Sequence, residues 1–239
     1  GRREGMKLKD KVAVVTGGGR GIGKAVALAY AREGASLAIC ARTVAEIEET
    51  AKEIQSLGRE CLGLVCDVSS EESVSGFLEK VAKSFGRVDV LVNNAGVMTR
   101  PTSIAEFEIK KWDYTIAVNL RGTFLVTRAA LPLMMRQKGG SIINVSSSIG
   151  RGAYSNFSAY AASKWGIEGL TQTLAAEVEP YRIRVNSVDP GYVATKLTHY
   201  SGSKPESVTE LFVFLASDES KGISSRKLTA SGWRSELRK

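Results

Sequence analysis

Val12-Ala13-Val14-Val15-Thr16-Gly17-Gly18-Gly19-Arg20-Gly21-Ile22-Gly23, running into the amphipathic stretch Lys24 to Glu33, is the segment whose reading decides the fold. Val12 to Val15 is a short β-branched run, so the order is strand, glycine turn, helix. Glycines let the backbone turn tightly and approach a pyrophosphate, while the free N–H groups and dipole of the first helical turn favour an anion. The spacing here is Gly17-x3-Gly21-x-Gly23, not the commoner Gly-x-Gly-x-x-Gly. Taken alone, it reads as a phosphate site or a plain loop.

The next unit favours the phosphate site. Ser36 to Cys40 reads as a second strand, ending about 20 residues after the glycine turn, where an acidic residue would hold a ribose 2′-hydroxyl. The sequence there is Cys40-Ala41-Arg42-Thr43, without a carboxylate. The planar fork of Arg42 can grip a 2′-phosphate, and Arg20 is a second cation of suitable reach, which predicts NADP(H) rather than NAD(H). The alternation then continues: Val44 to Leu57 helix, Cys61 to Cys66 strand, Glu71 to Phe85 helix, Val88 to Val92 strand. Strands alternating with amphipathic helices imply right-handed crossovers and a parallel sheet covered on both faces, an α/β fold. Asp67, at the end of the third strand, is placed to bond an adenine amino group, or lies solvated beside Ser69 or Ser70 capping the next helix.

Asn93-Asn94-Ala95-Gly96 follows the fourth strand. Its small residues let backbone lie against a ribose, and its asparagines can tie strands together. A helical pattern runs from about Glu108 to Met135, with a break or kink expected near Pro132. Asn119 sits in it among apolar neighbours, where an unpaired amide is costly. Gly140 to Ser146 is the fifth strand and delivers Ser147 at the carboxyl edge where doubly wound sheets bind ligands. In the helix expected over Ala159 to Glu177, Tyr160 and Lys164 are four apart and share a face. Such a pair occurs in many helices as a half-buried ring with a snorkelling lysine, but at this edge it has a chemical use. Lowering a phenol from about 10 towards neutrality requires about three units, roughly 4 kcal/mol. A lysine cation, helped by a cofactor's positive ring, can supply that in a dry cleft. Ser147 would hold a substrate carbonyl oxygen. Ile183 to Val188 is a sixth strand, and Pro190-Gly191 after it is either punctuation or part of a nicotinamide pocket.

Composition narrows the field. The 239 residues, 43% hydrophobic, fit one large domain. We expect it over residues 8–239, preceded by a tag-like or disordered leader at 1–7. No apolar run is long enough to span a bilayer, so neither a membrane nor a secretory signal is expected. Cys40, Cys61 and Cys66 lack metal-ligand spacing and read as buried reduced thiols of a cytoplasmic protein. The single histidine, His199, excludes any mechanism that needs a His pair. The formal charge of +8 is dispersed rather than clustered with aromatics, so nucleic acid is not expected. The exception is the tail, with Arg226, Lys227, Arg234, Arg238 and Lys239 against Glu236. It reads as a solvated face or, second, a polyanion contact.

Thr16-Gly17-x-x-x-Gly21-Ile22-Gly23, Asn93-Asn94-Ala95-Gly96, Asn119, Ser147, Tyr160-x-x-x-Lys164 and Pro190-Gly191 together resemble the short-chain dehydrogenase/reductase family. The likeness runs from about Leu8 to Glu219 and is strongest to the subgroup of 3-oxoacyl-carrier-protein reductases and carbonyl and sugar-alcohol reductases. It implies a single-domain, Rossmann-type doubly wound sheet and an NADP(H)-dependent reductase of ketones or 3-oxoacyl groups, assembled as a dimer or tetramer. Tyr160 would be the proton donor, Lys164 would lower its pKa and hold the nicotinamide ribose, Ser147 would bond the substrate oxygen, and Asn119 would hold a relay water. Gly17, Arg20, Gly21, Ile22, Gly23, Arg42, Asp67, Val68, Asn94, Ala95, Gly96, Pro190, Gly191, Val193 and Thr195 match cofactor positions, together with Tyr160 and Lys164. Met98, Ile149, Tyr154, Phe157 and Tyr192 are expected to line the substrate cleft with Ser147 and Tyr160.

Two departures stand out. The connection from Thr195 to Pro205 is short, giving an abbreviated lid over about 196–205. An open cleft favours a bulky or carrier-presented substrate, or a site completed by another subunit. The C-terminus reads Ile223-Ser224-Ser225-Arg226 and Leu228 to Trp233 where the family has a Thr-Gly turn and a final strand ending Asp-Gly-Gly, which puts the tetramer in question. A second functional reading is a regulatory NADP(H)-binding protein with little turnover.

Overall fold

The computed structural model describes residues 5–238. Seven parallel strands form one sheet in the order β3-β2-β1-β4-β5-β6-β7. They are β1 (Val12–Thr16), β2 (Ser36–Ala41), β3 (Cys61–Val65), β4 (Val90–Asn93), β5 (Gly140–Val145), β6 (Ile183–Asp189) and β7 (Lys227–Thr229). The helices are α1 (Gly21–Arg32), α2 (Val44–Ser56), α3 (Glu71–Phe85), α4 (Ile109–Ile116), α5 (Gly122–Gln137), α6 (Ser158–Val178), α7 (Thr209–Ala216) and the short α8 (Trp233–Glu236). The order of strands reverses between β1 and β4, which are hydrogen-bonded neighbours. That reversal opens a crevice at the carboxyl edge.

The central strands β1 and β4 are buried on both faces, which is why they read as continuous apolar runs rather than alternating ones. One core packs α1, α2 and α7 against the sheet through Val26, Tyr30, Ile54, Leu211 and Phe212. The other packs α3, α5 and α6 through Phe77, Val81, Leu125, Met134 and Leu174. Local sequence sets the boundaries. In α3, Ser70 Oγ accepts from the Ser73 N–H, Glu71 and Glu72 occupy the first turn, and Gly86 closes the end at φ +69°.

Two expectations are corrected. The long helical stretch is not interrupted at Pro132, which lies inside α5; the irregularity is a π-helical segment over Ala117–Arg121. That segment brings Asn119 to a fully buried position, and the Thr123 hydroxyl donates to the Asn119 carbonyl at 2.8 Å. The C-terminal region forms a last strand despite its unfamiliar wording: β7 pairs with β6 through Ser187↔Lys227, Val188↔Leu228 and Asp189↔Thr229. In the described part of the basic tail Lys227, Arg234 and Arg238 are exposed, as the solvated-face reading expects, while other residues anchor it to the fold. Leu228 is buried, Trp233 packs on Phe214 with ring centroids 4.6 Å apart, and the Thr229 N–H donates to Glu236 Oε2 at 2.8 Å. In the expected leader, residues 1–4 lie outside the described residues, whereas the Lys7 N–H donates to Glu33 Oε2 and its ammonium meets Glu219. Among the described residues no helix is long and apolar enough to cross a membrane.

Candidate active site

The glycine turn passes beneath β4 through backbone contact that side chains would block. A Cβ at Gly23 would lie 2.1 Å from the Gly17 carbonyl oxygen and 2.5 Å from Asn94 Nδ2, so only glycine allows α1 to start this close to the turn. Asn94 Nδ2 donates to the Thr16 and Gly17 carbonyls at 3.1 and 3.3 Å, locking the β1 and β4 ends together. Arg20 precedes α1 without a side-chain cap, so the first-turn N–H groups of α1 have no capping side chain. A cradle of this kind fits a pyrophosphate. Asn93 Nδ2 donates to Asn144 Oδ1 at 2.9 Å, tying β4 to β5, and Asn144 Nδ2 donates to the Thr171 hydroxyl of α6.

A cleft of about 480 Å³ runs along the carboxyl edge. It gathers Gly17, Arg20, Gly21, Ile22, Arg42, Asp67, Val68, Asn94, Ala95, Gly96, Ser147, Tyr160, Lys164, Pro190, Gly191, Val193 and Thr195, together with Met98, Ile149, Phe157 and Tyr192. Three sequence-derived residues lie elsewhere. Gly23 packs under the turn rather than facing the cleft. Asn119 is buried behind the wall, where Oδ1 accepts from the Val97 N–H at 2.8 Å and Nδ2 donates to the Val97 carbonyl and the Ser163 hydroxyl. Tyr154, expected to line the substrate cleft, is instead about half exposed outside it, its ring against Gly152 beyond the 3-10 turn Ser148–Gly150. That turn carries the chain away from the cleft before α6 returns it at Phe157.

Tyr160, Ser147 and Lys164 converge. Lys164 Nζ donates to the Val145 carbonyl at 2.8 Å and lies 5.5 Å from the Tyr160 ring centroid. Burial governs both groups in the protein without cofactor. Burial pushes the Tyr160 phenol up to about 12; a hydrogen bond with Ser147 opposes this and the Asp189 charge adds to it. Burial likewise pushes Lys164 down to about 8, against the pull of Glu168 and Asp189. Burial outweighs the Ser147 hydrogen bond, so the protein's own groups hold the phenol protonated.

Sequence reasoning passed over several neighbours. Glu168, one turn beyond Lys164, is buried and accepts from Arg151 Nε at 2.8 Å and the Ser187 hydroxyl at 2.7 Å. Arg151 also donates to the Leu228 carbonyl, fastening the turn after Ser147 to β7. The spacing of Glu168 from Lys164 was visible, but these partners come from two other segments. Glu46 in α2 forms an ion pair with Arg20 at 3.0 Å. Arg42 meets Tyr114 of α4 and weakly attracts Asp67, whose carboxyl is held below the usual range chiefly by Ser69. Asp67 Oδ1 accepts from both the N–H and hydroxyl of Ser69, while Ser70 caps α3. The short lid folds on its own stalk: Ala194 N–H donates to the Ser203 carbonyl, and the 3-10 turn Lys196–Thr198 lines the cleft. Among the described residues no cluster of three or more His, Cys, Asp or Glu could hold a metal ion.

The arrangement is a dinucleotide crevice beside a phenol, an ammonium and a hydroxyl. The chain belongs to the short chain dehydrogenase family, which it matches over residues 11–206. It is therefore an oxidoreductase of that family, using a nicotinamide cofactor on alcohol or ketone substrates. Among curated relatives, it is 37% identical over 243 residues to a 3-oxoacyl-[acyl-carrier-protein] reductase of Thermotoga maritima, covering 95% of this chain and 98% of that protein. Among solved structures it is similar to a short chain dehydrogenase of Shigella flexneri complexed with NADP, at TM-score 0.90 and 29% identity, covering 95% of this chain and 100% of that one. It is as similar to a carveol dehydrogenase of Mycobacterium avium in complex with NAD, at TM-score 0.90 and 28% identity, covering 93% and 96%.

Proposed function

We propose that the protein is an NADP(H)-dependent carbonyl reductase that interconverts a ketone or 3-oxoacyl group and a secondary alcohol. The observation that carries this reading is the convergence of Tyr160, Ser147 and Lys164 in one cleft with the glycine turn and Arg42. The cofactor, when bound, supplies or accepts the hydride at its nicotinamide carbon. Gly17, Gly21 and the start of α1 would hold its pyrophosphate, Asp67 and Val68 its adenine, Asn94, Ala95 and Gly96 its ribose, and Pro190, Gly191, Val193 and Thr195 its nicotinamide side. Arg42 in place of a carboxylate after β2 supports the 2′-phosphate form.

Ser147 and Tyr160 would both bond the substrate oxygen. Tyr160, held protonated by burial, would give its proton to that oxygen as negative charge develops, and Lys164 beside it would stabilise the phenolate left behind. Asn119 fixes Val97 and Ser163, and through them the wall behind Lys164; a relay water held there would return the proton. The apolar lining from Met98, Ile149, Phe157 and Tyr192, with a lid folded back on itself, suits an extended or carrier-linked substrate. The name of the Thermotoga relative supports a 3-oxoacyl thioester. Assembly as a dimer or tetramer is supported by Ile109, Phe124 and Trp165, apolar and exposed on α4, α5 and α6. A cytoplasmic location belongs to the same reading, supported by three free thiols.

Tyr160→Phe tests it. With NADPH and a panel of ketones and 3-oxoacyl thioesters, followed by cofactor absorbance, wild type should turn over. The variant should lose roughly 10²- to 10⁴-fold in kcat while still binding NADPH. If both proteins bind NADPH and are equally inert, the reading is wrong and a regulatory NADP(H)-binding role replaces it.

A further inference from the structure

The two arginines nearest the expected 2′-phosphate position are held by different kinds of partner. Arg20 faces the carboxylate of Glu46 at 3.0 Å, so its charge is already answered. Arg42 is met instead by a tyrosine: Nη1 donates to Tyr114 Oη, and the guanidinium carbon lies 5.7 Å from the ring centroid. A phenol orients a guanidinium without neutralising it, and the ring face adds a cation–π attraction. Tyr114 also keeps its own hydroxyl proton available for donation.

The helix bearing Tyr114 is built into the adenosine side of the cleft at several points. Val118, one turn further on, lines the cleft. Arg121 Nη1 donates to the Ser69 carbonyl at 2.6 Å, gripping the turn that carries Asp67. A Cβ at Gly122 would lie 2.8 Å from Val68 Cγ2, so α5 starts hard against another cleft residue. Tyr114 is therefore placed by a packed wall, at the one of these two arginines that has no carboxylate ion pair.

We propose that Tyr114 is a positioning and specificity-determining residue for the 2′-phosphate, holding the Arg42 fork open and charged and donating its hydroxyl to the same anion. This rests on the NADP(H) reading above. It predicts that loss of the tyrosine weakens only ligands that carry the 2′-phosphate.

The test is binding of NADPH and NADH, and of 2′,5′-ADP and 5′-AMP, to wild type, Tyr114→Phe and Tyr114→Ala by calorimetry or fluorescence. Tyr114→Phe, which keeps the ring, should weaken NADPH and 2′,5′-ADP about three- to tenfold, and Tyr114→Ala about tenfold or more. NADH and 5′-AMP should stay within about twofold of wild type, a selectivity that general damage to the pocket would not produce. If wild type prefers NADPH but the Tyr114 variants change both cofactors equally, or neither, the inference is overturned and the NADP(H) reading stands. If wild type itself binds NADH as tightly as NADPH, the NADP(H) reading falls and the inference with it.

Discussion

Replacing Lys164 by methionine should make the protein more stable while abolishing catalysis. Lys164 is 4% exposed, and burial lowers its ammonium from 10.5 to about 8. At about 1.4 kcal/mol for each pH unit, keeping it charged in the fold costs about 3 kcal/mol near neutrality. Methionine has a similar shape and no charge, but it leaves the Val145 carbonyl without its 2.8 Å partner, a loss of about 1–2 kcal/mol. The net gain is about 1–2 kcal/mol, or roughly 2–8 °C in Tm for a chain of this size. The pH dependence gives a second signature. Because the folded pKa lies below the unfolded one, the unfolded chain binds more protons between about pH 8 and 10.5, and wild-type stability rises with pH across that window. Lys164→Met lacks this contribution, so its advantage should be full below about pH 8 and should shrink above it. The assay is thermal or urea unfolding of both cofactor-free proteins from pH 7 to 9.5. A variant less stable at pH 7, with a gap that does not change with pH, would refute the desolvation argument.

Other outcomes follow from the same geometry. Ser147→Ala removes a donor to the substrate oxygen and should lower kcat by about 10²- to 10³-fold with cofactor binding unchanged, as read by steady-state kinetics and calorimetry. Arg42→Asp should move the NADPH-to-NADH ratio of kcat/KM towards NADH by about 10- to 100-fold; an unchanged ratio removes Arg42 from the cofactor site. Glu46→Gln releases Arg20 from its half-exposed ion pair and should tighten NADPH by up to about fivefold without affecting NADH, measured by fluorescence titration. Gly23→Ala would press a methyl group against the Gly17 carbonyl and should cost about 1–3 kcal/mol in unfolding free energy along with cofactor affinity.

How much of this was readable beforehand depended on whether the signal was local. The glycine turn, the strand ends and the Tyr160–Lys164 spacing are short-range patterns, and each sits where the pattern put it. Strand β7 was obscured because its wording departs from the usual, yet Leu228 needs only a slot beside Val188 to complete the sheet. The break in the α4–α5 stretch was assigned to Pro132 because proline is a local marker. The actual irregularity at Asn119 is set by tertiary demand, the amide reaching Val97 and Ser163. Partnerships such as Arg151 with Glu168, Arg42 with Tyr114 and Arg20 with Glu46 join residues 17, 72 and 26 positions apart, and nothing local announces them. The depth of burial at Tyr160 was also hidden, since spacing reveals a neighbouring charge but not how far the phenol is removed from water.

The most direct test is a crystal structure with NADP⁺ and a non-reducible ketone analogue. Tyr160 Oη and Ser147 Oγ should both lie within about 2.6–3.2 Å of the analogue's oxygen, with Lys164 against the nicotinamide ribose. A nicotinamide ring seated away from Tyr160, with the phenol turned from the bound ketone, would contradict the account.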